Sequence, residues 1–376
     1  MKLLLIWELG RGHGHQFQLE WLAGGLQQRN HQVKIIGPEL SGYRQFLQPT
    51  GNGPAHKCWA DLLLLNGFSD QAFINSRLNF WQHLFTQEKP DAIVVDHAPY
   101  AHLTAYALNI PCMEFGSAFT LPVPSEPVGR FDDSPPPYNE AALLKNIATS
   151  FSANNWPALE RLADVYRYSA IRCATGIPLL DHYGPRTEIA YTGAFAAGQG
   201  DDIDWGPDSQ GKLKLFIYWR EGLGLPGFLR QLNPANLVIR AYVPGSGLKL
   251  PEKPGWKISQ RPWNLNSFSA ENLPDIALGY ASNAFIQWMA HLGVPQLMAP
   301  VYREGLLQGS RAQQLGLGLM CSHSRAEDIA DKFTQLVSNP GYPSHAQKFS
   351  HYSRENWDAI PRLPALCQLM EARLSR

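Results

Sequence analysis

Cysteine is scarce in this chain. Its five thiols, Cys58, Cys112, Cys173, Cys321 and Cys367, are scattered over 376 residues with no paired spacing. That excludes a disulfide framework and a thiolate metal site, and it is the pattern of buried free thiols in a reducing compartment. Net charge is missing too: 32 basic side chains balance 32 acidic ones. Without a basic surplus there is no electrostatic case for a nucleic-acid partner. No apolar run approaches the length of a membrane span. No secretory leader is expected either, because the run Leu3 to Trp7 is short and Glu8 interrupts it at once. No fixed-period repeat or low-complexity array is present. On these grounds the expectation is a soluble, cytoplasmic protein.

What is present is material for more than one core. Hydrophobic residues make up 44% of the chain and aromatics 11%, and 376 residues exceed a comfortable single core. The first 36 residues are the most informative. Leu3 to Trp7 suits a strand buried on both faces. Gly10, Gly12 and Gly14 let the backbone turn tightly and approach a ligand, and they deliver His15 to the mouth of a helix. Leu19, Leu22, Ala23 and Leu26 recur at helical spacing, and Val33 to Ile36 reads as the next parallel strand. Ligands of open α/β sheets bind at the carboxyl ends of strands, so His15 is expected in that crevice. The glycines run G-x-G-x-G, which is not the dinucleotide fingerprint, and a nicotinamide oxidoreductase is disfavoured.

The alternation continues. Strands are expected at Ala92 to Val95, Cys112 to Phe115, Ala170 to Ala174 and Glu188 to Tyr191, with a helix from about Tyr100 to Leu108. Residues 196–212, rich in Gly, Asp and Ser, read as a linker. A second series comes after it, with strands at Leu213 to Trp219, Leu237 to Val243, Trp256 to Ser259, Ile276 to Gly279 and Gln296 to Met298. Ser324 and Glu327 read as a capping box for a helix reaching about Leu336. The proline-rich stretch from Pro122 to Pro137 reads as a surface or lid loop. The domain expectation is therefore 1–195, the linker 196–212, 213–350, and a helical segment 351–376 that crosses back to the first domain.

Three segments carry a family resemblance. The amino-terminal GHGH turn with its amphipathic helix, the segment PDAIVVDHAPYAHLTAYALNIPCMEFGSAF, and the segment HLGVPQLMAPVYREGLLQGSRAQQLGLGLM occur in an order that resembles the glycosyltransferase-B superfamily. The likeness is to its nucleotide-sugar (UDP-glycosyltransferase-like) enzymes of bacterial type. It implies an α/β protein of two facing Rossmann-like domains with parallel sheets and a ligand cleft between them. It also implies an inverting, metal-independent hexosyl transfer from a nucleotide-sugar donor to a hydroxyl of a small-molecule, lipid or glycan acceptor, with no cofactor. A lipid acceptor would add peripheral membrane contact.

By that resemblance His15 stands where the catalytic base does, and Asp96 where its orienting carboxylate does. The chemistry agrees: an imidazole can take the proton of a poorly nucleophilic hydroxyl, and a carboxylate behind it fixes the tautomer. Taken alone, His15 also fits a helix-entry residue and Asp96 a turn opener; the ordered pattern is what favours the pair. Gly12 and Gly14 are assigned to the donor side. The donor motif departs from the family: Tyr280 replaces its phosphate-binding histidine, and Trp288 its ribose-binding acid. Ser282, Asn283 and Ala284 remain at a helix start whose amides suit a diphosphate. Arg220, just after the first strand of the second half, is placed to neutralise the departing charge. Glu304 aligns with the sugar-binding acid, and Trp263 lies near the base-stacking tryptophan, though it also reads as core. Phe115, Phe119 and Trp81 are the acceptor-side candidates, while most of the apolar stretch from Trp59 to Phe85 reads as helices packed on the sheet. Asp202-Ile203-Asp204 is read as a solvated turn rather than a metal motif, and His13-Gly14-His15 lacks completing ligands. The rivals are a non-catalytic nucleotide- or glycan-binding member, favoured by Tyr280 and Trp288, and a sugar-nucleotide epimerase.

Overall fold

The structure is a computed structural model, and it describes residues 1–10, 14–41, 56–132, 136, 138–194, 200–220, 222–245, 247–358 and 362–374. Its strands are β1 (Lys2–Trp7), β2 (Gln32–Ile36), β3 (Ala92–Asp96), β4 (Cys112–Gly116), β5 (Ile171–Ala174), β6 (Ala190–Tyr191) and β7 (Asp201–Asp202). They continue as β8 (Leu213–Tyr218), β9 (Leu237–Tyr242), β10 (Trp256–Ser259), β11 (Trp263–Asn264), β12 (Ile276–Gly279), β13 (Gln296–Met298) and β14 (Gly318–Met320).

Two compact units divide the chain. The first comprises Met1–Thr175, Pro185–Thr192 and Ile360–Arg376, and the second comprises Gly176–Gly184 and Gly193–Ala359. Each holds a six-stranded parallel sheet, in the order β2-β1-β3-β4-β5-β6 in the first and β10-β9-β8-β12-β13-β14 in the second. Helices connect the parallel strands, so both faces are covered and the central strands can be apolar throughout; every residue of β3 and β4 is buried. The direction in which strands are added reverses between β1 and β3 in the first unit, and between β8 and β12 in the second. Such switch points open a crevice at the strand carboxyl ends.

In the first unit Leu3 and Leu5 of β1 pack with Leu19, Leu22 and Leu26 of the helix Gly14–Gln28. The last helix, Arg362–Leu374, adds Leu366, Met370 and Leu374 to that same core. Glu371 fastens its far end, accepting from Arg29 Nε and meeting His31 Nε2, each at 2.8 Å. The preceding helix, Gly341–Trp357, lies wholly in the second unit. The crossing segment therefore starts later than 351, because Ala346, Phe349 and Trp357 pack with Ile286 and Ala290.

Other expectations shift as well. Of the expected linker, residues 196–199 lie outside the described residues. The remainder is packed: β7 pairs with β11, and Ile203 and Trp205 are buried against Phe216 and Val238. Composition alone hid those two anchors among glycines and acids. The capping box does not form. The helix runs Ala326–Ser338 with Arg325 as N-cap, and Asp328 reaches back to accept from the Ser322 amide at 2.6 Å. Within the proline-rich stretch Val128 and Phe131 are buried, so the described part of it is held to the body rather than displayed. All five cysteines are buried free thiols. Among the described residues no helix is long and apolar enough to cross a membrane.

If the last helix is a structural part of the first unit, Met370→Ala, at a fully buried position, lowers stability by about 2–5 kcal/mol in urea denaturation. A midpoint equal to wild type would show that this helix is not part of the core.

Candidate functional site

At the first unit's switch point the register places Trp7 of β1 beside Asp96 of β3. Both strands end there, and the segments beyond them meet. The helix Gly14–Gln28 begins beside this edge and brings His15 Nδ1 to 2.7 Å from Asp96 Oδ2. Asp96 has no exposed side-chain surface, whereas His15 keeps 18% of its own. Gly10 makes the approach possible: its φ is +109°, and a Cβ there would overlap His15 Nε2. Gly116, ending β4, plays the same part for the carboxylate, since a Cβ would overlap Asp96 Oδ1 and Thr120 Oγ1.

Aromatic rings surround the imidazole. Trp7 stacks on it with centroids 6.1 Å apart and planes at 17°, and His97 lies 6.0 Å away. Behind His97 stand Trp59 at 5.3 Å and Phe119 at 6.3 Å, with Phe131 stacked on Phe119. His97 has a left-handed backbone, φ +51°, and Leu9 N donates to its carbonyl. Burial, and secondarily the charge of His15, holds the His97 ring down to about 3, so it stays neutral beside the dyad.

The sequence pattern did not single out one further carboxylate. Glu8, fully buried, accepts from Trp81 Nε1 and from the amides of Tyr100 at 2.8 Å and Ala101 at 3.4 Å. It therefore caps the helix Pro99–Ala107 from just beyond the end of β1. Burial outweighs these donors and raises it to about 7. The available signal was an acid directly after an apolar strand, a place where a carboxylate needs a donor. Trp81 is thus engaged with Glu8 inside the core. Phe115 is also in the core, stacked on Trp21 at 6.3 Å. Phe119 alone of the three acceptor candidates stands beside the dyad's surroundings. Gly14 opens the helix; Gly12 and His13 lie outside the described residues.

The second unit's switch point carries the donor candidates. Tyr218 ends β8 and Arg220 lies two residues on, its guanidinium carbon 5.9 Å from the ring centre of Tyr280, the residue after β12. Tyr218 packs against Tyr242 at 5.2 Å and Tyr280 at 5.0 Å, and the hydroxyls of Tyr280 and Tyr218 are 3.4 Å apart. Burial, then Tyr280, raises Tyr218 well above the ordinary phenol, which keeps it a neutral hydroxyl. Ala281, at φ +63°, turns the chain into the helix Asn283–Leu292, whose N-cap Ser282 makes no side-chain cap. Ala284 is exposed in the first turn, while Asn283 is buried and accepts from Gln287 Nε2 at 3.4 Å. Trp288 donates to the Leu265 carbonyl at 3.1 Å and stacks on His291. Glu304 lies in the first turn of the helix Arg303–Gln314, half-buried. Trp263 is core: it is 3% exposed and donates to the Ala241 carbonyl at 3.1 Å.

No family model matches the sequence, and no curated protein does. Solved structures match along its whole length. The spinosyn rhamnosyltransferase SpnG shares 17% identity, with a TM-score of 0.66 over 99% of this chain and 100% of that one. The glycosyltransferase VinC, in complex with dTDP, shares 14% identity at a TM-score of 0.67 over 100% of both chains. SsfS6, a glycosyltransferase of Streptomyces sp. SF2575, shares 15% at a TM-score of 0.65 over 99% of both. SpnG and SsfS6 have each been solved with thymidine diphosphate. The chain has the glycosyltransferase-B fold.

The two buried titrations have opposite signs. His97 is depressed in the folded state, so its contribution is present above its usual 6.5 and is lost as pH falls toward about 3. Glu8 is raised, so its contribution is present below its usual 4.5 and is lost as pH rises through about 7. Glu8→Gln removes the second. The melting-temperature advantage of wild type over this variant should therefore shrink from pH 4.5 to 7.5; an advantage that stays constant would contradict a raised Glu8.

Proposed function

We propose that this protein is an inverting glycosyltransferase that moves a sugar from a nucleoside diphosphate sugar to an acceptor hydroxyl. The observation that carries the reading is the His15–Asp96 contact at the β1/β3 switch point. Asp96 meets Nδ1 and favours the tautomer protonated there, in which Nε2 is the basic nitrogen. The acceptor O–H proton passes to Nε2 as its oxygen attacks the anomeric carbon from the face opposite the leaving group. The bond from that carbon to the diphosphate oxygen breaks, and the diphosphate leaves with the electron pair. Imidazolium charge forming on His15 is met by Asp96, and neutral His97 adds no competing positive charge.

Leaving-group charge falls to the second unit. Arg220 offers a planar fork of donors, and the start of the helix Asn283–Leu292 offers amides and the positive end of its dipole. Thymidine diphosphate, bound by SpnG and SsfS6, leads the candidates. Glu304 stands ready to accept from sugar hydroxyls. The aromatic surroundings of the dyad favour an apolar or aromatic acceptor, and turnover requires the donor to be brought to His15. The soluble, metal-independent character of the reaction belongs to the same proposal. One observation favours a second reading, a binding member without turnover: the ring of Trp288, committed to Leu265, stands in place of a ribose-binding acid.

The first test is thermal shift against nucleoside diphosphates, since a ligand at 100 times its Kd adds about 2.7 kcal/mol. Thymidine diphosphate should raise the melting temperature, and less so in Arg220→Ala and Ser282→Ala. No shift with any nucleoside diphosphate would remove the donor assignment. In turnover with the donor so identified, His15→Ala should lose about 10²–10⁴ in kcat, and Asp96→Asn should lose a similar amount, with donor binding intact. Stabilisation by donor with no transfer in wild type would instead establish the binding-only reading.

A further inference from the structure

Thr120 and Arg186 take no part in the transfer itself, yet both lead to the dyad. While Asp96 Oδ2 meets His15, the other oxygen, Oδ1, lies 3.3 Å from Thr120 Oγ1. That hydroxyl has one proton and a second acceptor, the Ser117 carbonyl at 3.0 Å. A carboxylate is the stronger acceptor of the two, so the placement of the turn decides whether the proton reaches it.

Thr120 ends the single turn Ala118–Thr120 just beyond β4. So short a turn leaves carbonyls that no helical amide can reach. Arg186 takes one in the turn and one at its flank, Nη2 donating to Ala118 at 3.3 Å and Nη1 to Leu121 at 2.7 Å. Arg172 takes the next, donating to the Pro122 carbonyl at 2.7 Å while it grips Glu114 at 2.9 and 3.0 Å. Both arginines are buried, Arg186 at 9% and Arg172 at 8% exposure. On the other side Thr175 donates to the Gly116 carbonyl through N at 2.7 Å and through Oγ1 at 3.1 Å. Gly116 in turn is the residue pressed against Asp96.

We propose that Arg186 is a positioning residue for the dyad: by holding the Ala118–Thr120 turn it keeps the Thr120 hydroxyl on Asp96, and so keeps the carboxylate's other oxygen on His15. This role rests on His15 being the base, and it names what orients the base's partner. Arginine suits the task because its rigid fork serves two carbonyls at once, whereas lysine offers a single point charge. Arg172 holds only the Pro122 carbonyl beyond the turn and is clamped to Glu114, whereas Arg186 holds the turn at Ala118 and its flank at Leu121.

The test uses the full chain labelled with ¹⁵N and reads the His15 ring shifts, assigned by subtraction of a His15→Gln spectrum. This reports the tautomer without turnover. Thr120→Val and Arg186→Lys should each move the ring from a single Nδ1-protonated tautomer toward a mixture, whereas Thr120→Ser should keep the wild-type tautomer. In turnover the first two variants should lose about tenfold to a hundredfold in kcat with donor KM unchanged. Their double variant should be no worse than the worse single, because both act along one chain of contacts. A His15 ring in Arg186→Lys indistinguishable from wild type would overturn the inference, even if the melting temperature or kcat fell. Expected ring shifts in a protein that transfers no sugar would retire the transferase reading and still support the positional link.

Discussion

A carboxylate with no exposed surface sits at the carboxyl edge of the first sheet, and the local structure is arranged around it. A bare charge taken out of water costs several kcal/mol unless hydrogen bonds replace the lost solvent. Asp96 has an imidazole on one oxygen and a hydroxyl on the other. Fitting three side chains around one strand end demands room, and Gly10 and Gly116 supply it by lacking a Cβ. It also demands that β1 and β3 be neighbours with Trp7 level with Asp96, which the reversal of strand order at that point provides. Register, glycine placement and the turn after β4 thus all serve a single buried charge.

Glu8 is a second buried acid with a different set of partners. It has three N–H donors and a helix start facing it, yet burial still raises it to about 7. Its role is to tie the end of β1 to the helix that comes after β3. An imidazole and a hydroxyl reach Asp96, whereas an indole N–H and the protein's own amides reach Glu8. The second unit repeats the doubly wound plan with different side chains. Tyr218, Tyr280 and Arg220 line its switch point.

Much of the scaffold was legible in the residues. Parallel strands buried on both faces are apolar without alternation, and β12, with all four residues of its run Ile276–Gly279 buried, is such a strand. Asp96 was legible because it closes such a run, and His15 because a glycine-rich turn carries the chain from one into a helix. Short elements were not. The β7/β11 pair rests on two residues per strand, and its anchors, Ile203 and Trp205, are isolated apolar residues in a stretch of glycine and acid. Ser324 and Glu327 have capping-box spacing, but Asp328 supplied the return contact one residue later. Thr120 and Arg186 carry no local pattern at all. Thr120 meets Asp96 across 24 residues of chain, and Arg186 meets the turn across 65 and 68, which spacing cannot reveal. Trp81 and Phe115 were drawn to the acceptor side by their apolar setting, and the same apolar character places them in the core.

The order in which the chain visits its two units has a practical side. Met1–Thr175 and Ile360–Arg376 are parts of one body, and the stretch Pro185–Thr192 returns to it between two passages through the other. The second unit therefore cannot be exchanged between proteins of this fold with a single splice. A chimera cut only near residue 195 would join the first parent's β1 layer to the second parent's terminal helix. Leu366, Met370 and Leu374 would then be replaced by side chains shaped for another core. Recombination that respects the fold has to carry the last helix with the amino-terminal parent and Gly176–Gly184 with the other, because Ile177 and Leu180 pack with Ile286 and Ala290, so the crossover points number four.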